Sequence, residues 1–168
     1  AEAGNPRANC YLGAMYAQGN GVPKDTKLAL KYYTVATEEG YPHASFNLGV
    51  MYAGGDGVPK DTKLALKYYT AAAEAGYPDA NLNLGVMYAE GDGVPKNNKL
   101  ALKYYTAAAE AGNPLANGYL GAMYAERDGV PKDTKLALKY YTAAAEAGNP
   151  LANGYLGAMY AERDGVPK

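Results

Sequence analysis

Leu48-Gly-Val-Met-Tyr-Ala-Gly-Gly-Asp-Gly-Val-Pro-Lys-Asp-Thr-Lys-Leu-Ala-Leu-Lys-Tyr-Tyr-Thr-Ala-Ala-Ala-Glu-Ala-Gly76 recurs along the chain with few changes, so one copy serves to read the rest. Marker glycines fall at Gly4, Gly40, Gly76, Gly112 and Gly148, a constant spacing of 36 residues. A period of that size marks a stacked array of small structural units rather than one compact core. Four full units are expected at 4–39, 40–75, 76–111 and 112–147, with a partial unit at 148–168 and residues 1–3 as the tail of a preceding one. The 168 residues are thus expected to form a single repeat array.

Each unit reads as two helices. The first opens with Pro6, Pro42, Pro78, Pro114 or Pro150 two residues after the marker glycine, which suits a left-handed helix stop followed by a helix with Pro in its first turn. Asn5, Asn113 and Asn149 are placed to cap it, whereas Tyr41 and Tyr77 have no capping side chain and are expected to pack instead, at a local cost of about 1 kcal/mol. From Pro42 the pattern places Ala44, Leu48, Met51 and Tyr52 on one apolar face. Gly49 lies beside that face and recurs as Gly13, Gly85, Gly121 and Gly157. A glycine inside a helix costs about 1 kcal/mol, so its recurrence predicts a close helix crossing.

The glycine-rich turn ends this helix, and Asp61 (Asn97 in the third unit) caps the next. That second helix, from Thr62 to about Ala75, carries Ala65, Tyr68, Tyr69 and Ala72 on one line, with Leu64 and Leu66 about 100° to either side. So wide an apolar arc needs neighbours on three sides, and Leu66 is expected to be deeply buried. Lys63, Lys67, Thr70 and Glu74 form the stripe left to water. The combination is an all-α repeat array of helix pairs.

Leu-Gly-x-x-Tyr followed by a paired helix resembles the tetratricopeptide repeat, but the period is longer and the loop is glycine-rich. Ala44, Leu48-Gly49, Tyr52, Gly55-x-Gly57-Val58, Asp61, Ala65, Tyr68-Tyr69, Ala72-Ala73 and Gly76, in that spacing, closely resemble the Sel-one-like repeat over essentially the whole chain. The resemblance implies an α-solenoid, a right-handed superhelix of antiparallel helix pairs whose first helices line the concave side. It also implies a protein-interaction scaffold with no catalysis by default; from the residues themselves, no metal and no cofactor are expected. The family's cysteine-rich branch is not matched, because Cys10 is the only cysteine. Arg127 and Arg163 stand where the family has Gly at the end of the first helix, which would loosen those two turns.

Composition narrows the function further. A net charge of −1 supplies no field favouring nucleic acid or an anionic membrane, and no apolar run approaches the roughly 20 residues of a membrane span. The lone Cys10 leaves no partner for an intrachain disulfide and no Cys-based zinc cluster. The only histidine, His43, and the only serine, Ser45, are two apart on a helix and diverge, so they do not make a nucleophile and base. Asp56, Asp61, Asp92, Asp128 and Asp133 flank glycine turns without the dense carboxylates of a calcium loop, and read as turn and cap residues. The second-helix lysines share their stripe with glutamates and read as a solvated face. No leading Met or basic-then-apolar leader is present, as in a processed or excised chain. The compartment is left open, with a lean toward the bacterial periplasm or exterior.

What differs between units is the outward part of the first helix: Arg7, Cys10 and Tyr11; His43, Phe46, Asn47 and Val50; Asp79, Leu82, Asn83, Val86 and Glu90; Leu115, Gly118, Tyr119 and Glu126. These positions are expected to line a mildly apolar channel edged with amides, suited to a peptide or protein partner. Arg7, Tyr11, His43, Phe46, Asn47, Val50, Asp79, Leu82, Asn83, Val86 and Tyr119 are the candidate partner-binding residues, with Asn47 and Asn83 clamping a peptide backbone. The alternative is structural. Ala152, Leu156, Met159 and Tyr160 lack a covering second helix, as expected of a segment of a longer array or of a subunit that associates end to end in an open filament.

Overall fold

The computed structural model describes residues 4–126 and 130–161. Among these the chain forms helices α1 (Pro6–Gln18), α2 (Thr26–Glu38), α3 (Pro42–Gly54), α4 (Thr62–Glu74), α5 (Pro78–Glu90), α6 (Asn98–Glu110), α7 (Ala116–Glu126), α8 (Thr134–Glu146) and α9 (Pro150–Ala161). No strand occurs among the described residues. Odd-numbered helices are the first, and even-numbered the second, of each repeat. Arg127, Arg163 and Asp128, singled out above, lie outside the described residues.

The helix ends follow the expected chemistry. Asn5 Oδ1 accepts from the backbone N–H of Arg7 at 2.9 Å and of Ala8 at 3.4 Å, and Asn113 Oδ1 accepts from Leu115 and Ala116. Tyr41 makes no side-chain cap bond and packs against the core. Gly55, at φ 74°, closes α3 in the left-handed conformation, with its N–H bonded to Met51 O at 2.9 Å. Asp61 then accepts from Leu64 N at 2.9 Å, while its own N–H bonds back to Tyr52 O at 2.9 Å. One residue therefore caps the second helix and ties it to the end of the first. Asp25, Asn97 and Asp133 send the same backbone bond to Tyr16, Tyr88 and Tyr124.

Within a repeat the two helices cross closely at the recurring glycine. A Cβ on Gly49 would lie 2.5 Å from the Tyr69 ring, and one on Gly121 would lie 2.6 Å from Tyr141. The missing side chain lets the tyrosine ring lie on the helix backbone. A tyrosine pair is stacked beside this crossing in each of the four full repeats: Tyr16 on Tyr32, Tyr52 on Tyr68, Tyr88 on Tyr104 and Tyr124 on Tyr140, with centroids 5.6–5.8 Å apart. Offset stacks of this kind add roughly 0.5–1.5 kcal/mol beyond the area they bury. Twelve of the 18 tyrosines sit at these crossings or in these stacks.

The chain divides into two compact units, Ala1–Ala80 and Asn81–Lys168. In the first, Cys10, Ala29, Tyr33, Ala36, Ala44, Leu48 and Met51 form one buried cluster drawn from α1, α2 and α3, and α2 packs on α3 as well as on α1. In the second, Leu82, Ala101, Tyr105, Ala108, Ala116, Leu120 and Met123 do the same for α5, α6 and α7, and α8 packs on both α7 and α9. Each second helix in these clusters is wedged between two first helices. The expectation for Leu66 is corrected: it is half-buried, whereas Leu48, Leu84 and Leu120 of the first helices are fully buried. Alanines and a tyrosine, not leucines, form the deep line of the second helix: Ala65, Tyr69 and Ala72 are at most 4% exposed.

Candidate functional site

The residues that vary between repeats occupy a few registers of the first helix, and the registers point in different directions. Arg7, His43, Asp79 and Leu115 share one register, and Cys10, Phe46, Leu82 and Gly118 share another. Tyr11, Asn47, Asn83 and Tyr119 share a third, one residue further on. A step of one residue turns the side chain by about 100°, so the second and third registers face different surroundings.

In the first unit, Arg7 and Tyr11 are exposed and joined: Arg7 Nη2 donates to Tyr11 Oη at 3.3 Å and the guanidinium carbon lies 5.6 Å from the ring centroid. His43 is exposed and stacks on Tyr77 at 5.1 Å, with the Tyr41 ring tilted 46° to it at 6.4 Å. Burial first, and the neighbouring Asp79 carboxylate second, raise the Tyr77 hydroxyl above its ordinary pKa. Ser45 is buried and donates to Thr37 Oγ1 at 3.4 Å, away from His43. Phe46 is half-buried against Tyr69 and Tyr77, at 5.8 and 4.9 Å. Val50 is 43% exposed.

Asn47 is half-buried, with Nδ2 directed at Cys10 Sγ at 3.9 Å. Cys10 is itself buried; burial pushes its thiol pKa up and the Asn47 amide opposes the rise. The Asn47 amide therefore ties α3 to α1 and is not directed outward as a backbone clamp.

In the second unit, Asn83 and Val86 are half-buried. Leu82, expected to line the channel, is 8% exposed and belongs to the core cluster with Tyr105. Its register faces the second helix, as that of buried Cys10 does. Tyr119 is 42% exposed and stacks on Tyr105 at 4.9 Å, with rings 17° from parallel. One repeat on, Tyr155 stacks on Tyr141 at 4.9 Å and is 46% exposed. Between α7 and α9 lies an open cleft of about 450 Å³, lined by Leu115, Gly118, Tyr119, Ala122, Asn149, Pro150, Leu151, Ala152 and Tyr155. Leu151 and Tyr155 are absent from the sequence expectation. The recurrence of Asn113–Lys132 as Asn149–Lys168 is the signal that would have supplied them.

A family model of the Sel1 repeat matches residues 6–41, 42–77, 78–113 and 114–149. This chain belongs to the Sel1 repeat family. A Sel1 repeat protein from Oxalobacter formigenes has 39% identity and a TM-score of 0.91, over 97% of this chain and 65% of that one. A protective antigen present in uropathogenic Escherichia coli strains, displaying an SLR fold, has 41% identity and a TM-score of 0.94, over 98% and 35% of the two chains. The chain thus spans less than two thirds of the length of either. Cysteine rich protein B of Helicobacter pylori has 27% identity and a TM-score of 0.62, over 82% and 99%. No curated protein matches this chain.

Sel1 repeat proteins are helical repeat solenoids, generally protein-interaction modules. In this Sel1 repeat chain the family pattern accounts for the buried positions that recur, and the variable registers of the first helix hold both buried side chains, Cys10 and Leu82, and the surface that distinguishes one repeat from another. No group of His, Cys, Asp and Glu suited to a metal ion occurs among the described residues, and no described helix is long and apolar enough to cross a membrane.

Proposed function

We propose that this chain is a non-enzymatic scaffold that holds a peptide or protein partner on the exposed face of its first helices. One observation carries the reading. In the variable registers, large hydrophobic side chains stand exposed on first helices or, for Leu115, in the turn that opens one: Tyr11, Val50, Leu115, Tyr119, Leu151 and Tyr155. The exposed stripe of the second helices is instead lysine and glutamate, as at Lys63, Lys67 and Glu74. Apolar surface gathered on one set of elements and kept off the other is what a docking face requires. Neighbouring Arg7, His43 and Asp79 give successive repeats different polar edges on that face, which is how an extended partner would be read residue by residue.

The test is selection of a displayed random peptide library on the purified chain, followed by binding to variants. Val50→Lys and Tyr119→Lys should weaken the selected peptides by about tenfold or more, equivalent to about 1.4 kcal/mol, while Lys67→Glu and Lys103→Glu leave binding within about twofold. Peptides indifferent to the first-helix changes and sensitive to the second-helix ones would place the partner on the opposite face and overturn the reading.

A further inference from the structure

Two junctions of the second unit share one layout and differ mainly on the first helix that opens each. In the core shared by α5, α6 and α7, Tyr119 stacks on Tyr105 and the space beside them is filled by Leu82 at 8% exposure, with Val86 packed against the same cluster. At the α7, α8 and α9 junction, Tyr155 stacks on Tyr141 at the same 4.9 Å centroid distance. The counterparts of Leu82 and Val86 there are Gly118 and Ala122. One isobutyl group and two methyls are missing there, Leu115 and Tyr119 stand where the earlier junction has Asp79 and Asn83, and the cleft of about 450 Å³ opens among these residues. Its nine lining residues include no charged side chain. A charged group entering it would lose water without gaining a partner.

We propose that this cleft is a socket for one uncharged, leucine-sized aliphatic side chain of a bound peptide, which takes the place that Leu82 holds in the neighbouring junction. The proposal rests on the reading of the first helices as a peptide-holding face, and assigns Gly118 as the residue that sets specificity. The α5, α6 and α7 core holds a leucine at the matching position. A Cβ on Gly118 would meet only the far end of Asn149, Nδ2 at 2.9 Å. In the sister junction Asn113 keeps its cap bonds to Leu115 N and Ala116 N, at 2.9 and 3.2 Å, with Leu82 in place. Gly118→Leu should accordingly fill the socket from within and leave the fold intact.

The experiment is a nuclear magnetic resonance titration of the nitrogen-15-labelled chain with acetyl-Ala-Leu-Ala-amide, compared with the Ala-Ala-Ala and Ala-Asp-Ala peptides. The leucine peptide should give saturable shifts at the Gly118 and Tyr155 amides, with affinity about tenfold or more above the comparators, since each methylene in an apolar pocket is worth roughly tenfold or more. Gly118→Leu should abolish these shifts while keeping the helical circular dichroism of the parent. Should that variant fail to fold, Leu151→Asp, at a side chain 69% exposed on the rim, should abolish them too. Leucine-peptide binding that leaves Gly118 and Tyr155 unmoved, or that survives in both variants, overturns the socket. Shifts at Val50 and Tyr11 instead would discard the socket and keep the peptide-holding face; no first-helix shift with any peptide, together with failure of the library selection, would discard both.

Discussion

At Gly49 a single hydrogen separates a tight helix crossing from a collision, because a Cβ there would lie 2.5 Å from the Tyr69 ring. The ring is 4% exposed, so it has nowhere to retreat. Gly54 is the last residue of the same helix, yet a Cβ there meets nothing within 4 Å. Identical substitutions should thus have opposite signs. Gly49→Ala is expected to destabilise by about 1–3 kcal/mol through overpacking, in spite of the better helix propensity of alanine. Gly54→Ala should stabilise by up to about 1 kcal/mol. Urea titrations of the two variants decide the matter: shifts of the same sign would remove the close crossing as the reason for the glycine.

The two helices of a repeat divide the work of the core unequally. First helices supply fully buried leucines, and second helices supply small alanines with a tyrosine between them, so that the second helix sits close to its neighbours on both sides. Leu48→Ala should therefore cost about 2–5 kcal/mol, within the range for truncating a buried leucine. Leu66→Ala, at a half-buried position, should cost less, and Lys63→Ala, on the solvent stripe, should stay within about 0.5 kcal/mol. These values follow from denaturant midpoints at unchanged slope. A Leu66→Ala loss equal to or larger than that of Leu48→Ala would mean that the leucines flanking the second helix carry the core after all.

Across the whole molecule the tyrosines couple the fold to alkaline pH. Burial, with Cys10 adding, pushes the Tyr33 hydroxyl up to about 12 from an ordinary value of 10.0. Burial, with the Tyr155 hydroxyl and the Glu126 carboxylate adding, does the same to Tyr141, to about 12, and Tyr105 is raised further by burial, Tyr119 and Glu90. The unfolded chain releases these protons at lower pH than the folded chain does. Their contribution is then fully present below pH 10 and is lost as the pH climbs from 10 toward 12. Thermal midpoints by circular dichroism should fall across that window, tyrosinate absorbance should lag behind that of a denatured sample, and Tyr141→Phe should flatten part of the fall. A thermal midpoint constant from pH 10 to 12 would count against the burial of these hydroxyls.

The repeat, its helix pairs, the asparagine and aspartate caps and the close crossing at Gly49 were all legible in the sequence, because each depends on residues near one another in the chain. Period, cap chemistry and glycine spacing are local properties, and copying them four times averages away the accidents of any one unit. The direction of the variable registers was not legible. Leu82 and Asn83 are adjacent in sequence, and which of them packs on a second-helix tyrosine depends on how the first helix is rotated against it, which is decided by packing across the core. Asn47 read as an outward amide for the same reason, until Cys10 of the preceding repeat stood within reach of it. The half-burial of Leu66 is likewise a matter of which neighbours close around the second helix. The cleft is the clearest case: Gly118 alone is only a missing side chain, and it becomes a candidate socket because tertiary packing stacks Tyr155 on Tyr141 beside the space that Leu82 fills one repeat earlier.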